Sequence, residues 1–149
     1  MRLVQTLALG SLCFSASAQS TSPEELLDRV EAAFSSAQRA EVLSEISDRK
    51  GKFVDGPLYV FCVDSKGVVV ANGGFNSIIG KQAEQIKLAK VGDIAAQAMN
   101  QMRDKQAGEV DYRWFNPESG VIEHKHVLLR RIGDDICGAG TYEPLPVNS

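Results

Sequence analysis

The last third of the chain constrains the fold most. Three strand-like runs follow one another with room only for tight turns between them. Glu109–Phe115 is the first, and Asn116-Pro117-Glu118-Ser119-Gly120 turns the chain. Val121–Arg131 is the second, Gly133-Asp134-Asp135 turns it again, and Ile136–Tyr142 is the third. Runs this closely spaced pair as antiparallel neighbours, because parallel strands need a crossover of about a dozen residues or more. The tail from Glu143 carries two prolines and ends the fold.

The rest of the chain supplies helices and two further strands. Ser22-Pro23-Glu24-Glu25 is a helix start, with a capping serine, proline at the first position and a glutamate that reaches back. Leu26, Leu27, Val30, Ala33, Phe34 and Ala37 then recur at three- and four-residue steps, which makes one apolar stripe. A second helical piece carries Ala40, Leu43 and Ile46 and ends near Asp48-Arg49-Lys50-Gly51. Leu58–Val63 is a continuous apolar run fit for a central strand, Ser65-Lys66-Gly67 turns, and Val68–Ala71 returns. Asn72-Gly73-Gly74 breaks that strand. From Phe75 to Val91 the pattern is mixed. Asp93 reads as the cap of a helix bearing Ile94, Ala95, Ala98, Met99 and Met102. The expected architecture is α+β: five antiparallel strands, split two and three, with a long N-terminal helix and further helices between strands 2 and 3. That split meander matches a PAS-like topology.

Met1-Arg2, the apolar stretch Leu3–Phe14 and Ser15-Ala16-Ser17-Ala18 form the three parts of a secretory leader. Cleavage after Ala18 leaves residues 19–149 as one domain, in the periplasm or secreted. The leader's apolar stretch is shorter than the roughly 20 residues that span a bilayer. With 16 basic and 19 acidic residues the net charge is −3, which gives no support to nucleic-acid binding or to a polybasic membrane contact. Cys13 leaves with the leader. Cys62 and Cys137 remain, in a compartment that permits a disulfide. A bridge would close a long loop and contribute roughly 4 kcal/mol in the chain-entropy model. Two buried free thiols are the alternative, and sequence does not decide between them.

A recognisable series runs through these elements. It begins with Lys52-Phe53-Val54-Asp55-Gly56-Pro57-Leu58-Tyr59-Val60-Phe61-Cys62-Val63-Asp64 and continues with Gly80-Lys81. Then come Gly108-Glu109-Val110-Asp111-Tyr112-Arg113-Trp114-Phe115-Asn116-Pro117, Lys125 and Gly138-Ala139-Gly140-Thr141-Tyr142. From about Leu26 to Tyr142 the chain resembles the single Cache domain family, type 2, of exported bacterial sensor domains. The resemblance implies a PAS-like fold that binds small molecules, often carboxylates, beside the sheet. Many relatives precede a transmembrane helix and a signalling output. Two positions depart from the pattern: Asn72-Gly73 stands where relatives often carry His-Pro, and Leu128 where they often have an aromatic residue. The ligand is then expected to differ from the common ones, or the pocket to be degenerate.

A four-residue loop Pro117–Gly120 sets Asn116 against Val121, Trp114 against Glu123 and Tyr112 against Lys125. Alternation puts all four inner positions on one face. An aromatic wall with one cation suits a small organic anion, and the plainer reading is a core face with a snorkelling lysine. Tyr112, Trp114 and Lys125 are therefore the first candidates for ligand binding. Lys81 joins them through the resemblance, and Tyr59 from the first strand. Asp93 and Asp64 read as a helix cap and a turn residue. His124 and His126 share the opposite face, but no third ligand is visible, so no metal or cofactor is assigned. No nucleophile elbow, Walker loop or dinucleotide fingerprint points to catalysis.

The leading reading is a non-enzymatic binding module that captures a small organic acid or similar metabolite and signals through a separate membrane receptor or kinase. The alternative is a structural or interaction protein in the same fold without a working pocket, with its N-terminal helix joining a homodimer. A metal or redox protein using His124/His126 or Cys62/Cys137 comes third.

Overall fold

The computed structural model describes residues 20–147, and the expected leader lies outside them. Helix α1 spans Pro23–Ser36. Its capping box is complete: the Glu25 amide donates to Ser22 Oγ, and the Ser22 amide donates to Glu25 Oε2. Leu26, Leu27 and Val30 are wholly buried. Helix α2, Arg39–Ile46, follows after a two-residue break. It buries Val42, Leu43 and Ile46, whereas Ala40, expected on the apolar side, faces out. Leu43 and Ile46 are buried as expected, and Val42 takes the place of Ala40 because so short a helix offers little periodicity.

The sheet contains β1 (Val54–Asp55), β2 (Leu58–Val63), β3 (Val69–Asn72), β4 (Ala107–Phe115), β5 (Ile122–Ile132) and β6 (Asp135–Glu143). Five strands follow the order β3-β2-β6-β5-β4, all antiparallel, and the two-residue β1 adds a sixth beside the start of β2. The first and last parts of the domain thus meet at its centre, where β2 pairs with β6. Cys62 and Cys137 are register partners there, and their sulfurs are joined at 2.00 Å.

Between β3 and β4 the chain makes three short 3-10 turns, Asn76–Ile78, Ala83–Gln85 and Leu88–Lys90, then helix α3, Val91–Gln101. Lys90, in the left-handed region at φ 60°, is the N-cap and makes no side-chain capping bond. Asp93, expected as that cap, instead lies exposed in the first turn, where its charge complements the helix dipole. Past the other end, Arg131 donates to the carbonyls of Met102, Arg103 and Lys105 and ties the turn after the helix to β5.

The two faces of the sheet differ. Leu58, Val60, Cys62, Ala71, Cys137 and Ala139 pack beneath α1 and α2. Two arginines hold those helices down through three ion pairs. Arg130 on β5 reaches Asp28 at 2.6 Å and Glu31 at 3.2 Å, while Arg39 on α2 makes two 2.7 Å bonds to the buried Asp135. The opposite face presents Phe61, Val63, Val127, Leu129 and Ile136 to α3 and the 3-10 turns. Among the described residues no helix is long and apolar enough to cross a membrane.

Candidate ligand-binding site

The β4–β5 hairpin builds one wall of the site. Asn116 fixes its turn: the side-chain oxygen accepts from the Glu118 and Ser119 amides, and the Asn116 amide donates to the Val121 carbonyl at 2.8 Å. With the loop length set, Trp114 falls opposite Glu123 and Tyr112 opposite Lys125. On the far edge of β5, Lys125 is the partner of Tyr142. Three strands therefore align Tyr112, Lys125 and Tyr142 in one row on the α3 side.

Lys125 is wholly buried, and among the described residues its Nζ has no hydrogen-bond partner. It lies 3.8 Å from the centre of the Tyr59 ring, 4.8 Å from that of Tyr142 and 5.8 Å from that of Phe61. Ring faces attract a cation by roughly 0.5–2 kcal/mol each. Removing an ammonium from water costs several kcal/mol, and here no carboxylate or hydrogen-bond acceptor offsets it. Desolvation wins, and burial holds the Lys125 amine well below the usual lysine range. The phenols move the other way. Burial first, and then the neighbouring Tyr142, push the Tyr59 hydroxyl well up; burial does the same to Tyr112 and Tyr142. All three remain neutral donors at any physiological pH.

The phenols are also ordered. Tyr59 and Tyr142 hydroxyls lie 3.2 Å apart, and Tyr142 donates to the Phe115 carbonyl at 3.0 Å. Phe75 packs edge-on against Tyr59, Trp114 and Phe115, with centroids 5.6–6.0 Å away. Gly74 leaves room for this cluster, since a Cβ there would come within 2.6 Å of the Tyr59 ring.

Beside these rings lies a cavity of about 90 Å³ between the sheet and the α3 layer. A water molecule's share of liquid volume is about 30 Å³, so the space suits a molecule of a few heavy atoms. Tyr59, Phe61, Tyr112 and Trp114 line the sheet side; Ile78, Ile86, Ile94 and Met99 line the helix side. Asn72 is the polar residue among the lining, and its Oδ1 already accepts from the Gly74 and Phe75 amides. Lys125 is not itself part of the lining, but its amine lies against Tyr59 and Phe61, which are.

Of the residues singled out from sequence, Tyr59, Tyr112, Trp114 and Lys125 come together here. Lys81 does not. It is exposed, and its carbonyl is bound to the Val69 amide, so the backbone around the Gly80 turn carries its side chain away from the cavity. Sequence reasoning passed over Tyr142, Asn72 and Phe75. Tyr142 was open to detection, because the tight turn at Gly133 pairs it with Lys125. Asp64 accepts from the Lys66 and Val68 amides, both at 2.9 Å, as a turn residue. His124 and His126 sit half-buried on the other face, His126 2.9 Å from Asp111. Among the described residues no group of three or more potential metal ligands converges.

A family model described as single Cache domain 2 matches residues 25–132. No curated protein matches the sequence significantly. Several solved structures share the fold. One is a Cache chemosensory domain described in terms of carboxylic acid recognition, at 23% identity and a TM-score of 0.60, covering 78% of this chain and 83% of that one. A second is a methyl-accepting chemotaxis protein from Vibrio parahaemolyticus, at 16% identity and a TM-score of 0.63, covering 80% and 82%. A third is the periplasmic sensor domain of a chemotaxis protein, at 20% identity and a TM-score of 0.59, covering 80% and 86%.

Proposed function

The chain belongs to the single Cache domain 2 family, and on that footing we propose that it is an exported, non-enzymatic sensor-type domain that captures a small organic carboxylate. One observation carries this reading: a wholly buried amine that lacks any acceptor, set against the rings that line an internal cavity. Buried N–H donors without a partner are costly in a folded protein. Two carboxylate oxygens supply the acceptors that the chain withholds. The solved Cache domain described for carboxylic acid recognition supports the same ligand class.

The site's shape narrows the class. The cavity is small and its helix side is aliphatic, so a short acid fits, its tail toward Ile86, Ile94 and Met99 and its carboxylate toward Lys125. The amine does not yet open on the cavity, so the Tyr59 ring gives way as the acid engages. Occupancy would pass to a separate membrane receptor or kinase. Pairing of two copies along α1 would have to use a polar surface, because the apolar stripe of that helix is packed on its own sheet.

The test is a thermal-shift and calorimetric screen of the exported protein against short monocarboxylates, dicarboxylates, amino acids, amines and purines. A ligand at 100 times its Kd adds about 2.7 kcal/mol of stability. Monocarboxylates are expected to stabilise the wild type and to leave Lys125→Met unmoved. Stabilisation by amines or purines alone would overturn the reading. So would equal stabilisation of the variant.

A further inference from the structure

Among the described residues, Lys125 is enclosed without a counter-charge. On β5 the one carboxylate of the same face is Glu123, whose oxygens are held by Asn116 Nδ2 at 2.8 Å and Ser119 Oγ at 2.7 Å. Strand β2 contributes Tyr59 and Phe61, β4 contributes Tyr112, and β6 contributes Tyr142. The α3 layer turns aliphatic and methionine side chains to the cavity, and its Asp93 is exposed. None of the ion pairs among the described residues includes Lys125.

Resting on the carboxylate reading, we propose that the site takes up one proton with each acid molecule, so that the domain answers to acid and acidity together. The chemistry follows from the enclosure. An empty site holding an ammonium would bury a full charge and three unpaired donors against ring faces. The same site holding a neutral amine buries no charge. A carboxylate arriving alone would bring an uncompensated charge, but carboxylate and proton together make an ammonium–carboxylate pair with no net charge. The lowered proton affinity of the buried amine agrees with this. Nζ gains the proton from solvent, no covalent bond changes, and the acid stays ionised in the complex. The same balance selects monoacids, since a second carboxylate would find no cation.

Linkage fixes the sign. With acid bound, the amine holds its proton to a higher pH than without it. Between those two values the complex carries one proton more than the free protein, so affinity falls as pH rises, by up to about tenfold per unit.

The experiment is titration calorimetry of the exported protein with propanoate, in buffers of small and large ionisation heat at pH 7.5. The apparent heat should track the buffer's ionisation heat with a slope close to one proton taken up. Affinity should drop by close to tenfold between pH 7.5 and 8.5. A zero slope with binding intact overturns this proposal and leaves the carboxylate reading standing. If neither propanoate, acetate nor butanoate binds, both fall. A readout that needs no ligand is the side-chain nitrogen NMR signal of 15N-lysine-labelled protein, assigned by its loss in Lys125→Met. A neutral-amine shift at pH 7.5 is expected, and an ammonium shift in the ligand-free protein overturns the proposal.

Discussion

Lys125 sets function against stability at a single residue. A methionine there is an unbranched side chain one heavy atom shorter, and it removes the unpartnered amine. An unsatisfied buried polar group costs about 1–3 kcal/mol, and a neutral amine gains no cation–π attraction to offset it. Lys125→Met is therefore expected to be as stable as the wild type or more so in urea at pH 7, while losing the acid. A lysine retained for structure would give the reverse. The pH dependence carries the same signature. The unfolded chain protonates this amine up to about pH 10.4, and the fold resists protonation, so the unfolded state binds the extra proton. Stability contributed by this group rises as pH climbs from the folded value toward the unfolded one. Subtracting the Lys125→Met curve from the wild type over pH 6–10 isolates that slope. Gly74 makes a second, steric prediction. Gly74→Ala puts a methyl within 2.6 Å of the Tyr59 ring, and overpacking of this kind costs about 1–3 kcal/mol. The ring that packs on Lys125 must shift, so propanoate affinity should change along with the urea midpoint.

Among the elements, the β4–β5 hairpin was the most legible and the segment after β3 the least. The hairpin register could be read because Asn116 and Gly120 fix the loop length, and one residue of slip would turn every side chain over. Helix α1 was legible through its capping box and an unbroken apolar stripe. The stretch 75–90 was not, because 3-10 turns have no repeat long enough to show a face. Ile78 and Ile86, which line the cavity from the helix side, therefore carried no clear signal. Local pattern also favoured Asp93 over Lys90 as the cap, although the chain enters α3 through a left-handed residue. That Lys125 lacks a partner could not be read at all, since it depends on what three strands leave out. The turn that fixed the register makes a prediction of its own. Hydrogen bonds from Asn116 first, and then Ser119, hold the Glu123 carboxyl below the usual range. Stability from such a group is present above the unfolded value and lost as pH falls through the folded one. Asn116→Ala should lower the urea midpoint more at pH 7 than at a pH low enough to protonate Glu123 in both proteins. An equal loss at the two pH values would mean that only the turn bonds of Asn116 matter.

On the scale of the whole molecule, the sheet separates two layers with different work. The layer under α1 and α2 holds the disulfide, the larger apolar cluster and the Arg39–Asp135 and Arg130–Asp28 pairs. Joining Cys62 to Cys137 closes 75 residues of chain, worth roughly 4 kcal/mol through the unfolded state, so reduction should lower the Tm clearly. The α3 layer holds the cavity. Its link to β3 runs through a few backbone bonds, from Val69 to Lys81, from Gly80 to Val69 and from Ala83 to Gly67. Segments with few such ties open locally well before the protein unfolds. A ligand seated between α3 and the sheet must suppress those openings, because each one breaks the site. At 100 times its Kd, propanoate should slow amide exchange in residues 76–101 and in β4 by up to about a hundredfold. The amides of α1, across a sheet cross-linked at its centre, should change little. Protection that reached α1 as strongly as α3 would mean that the two layers open together, and would place the signalling outlet on the helix pair. Protection confined to the α3 layer would place it on that layer, next to the acid.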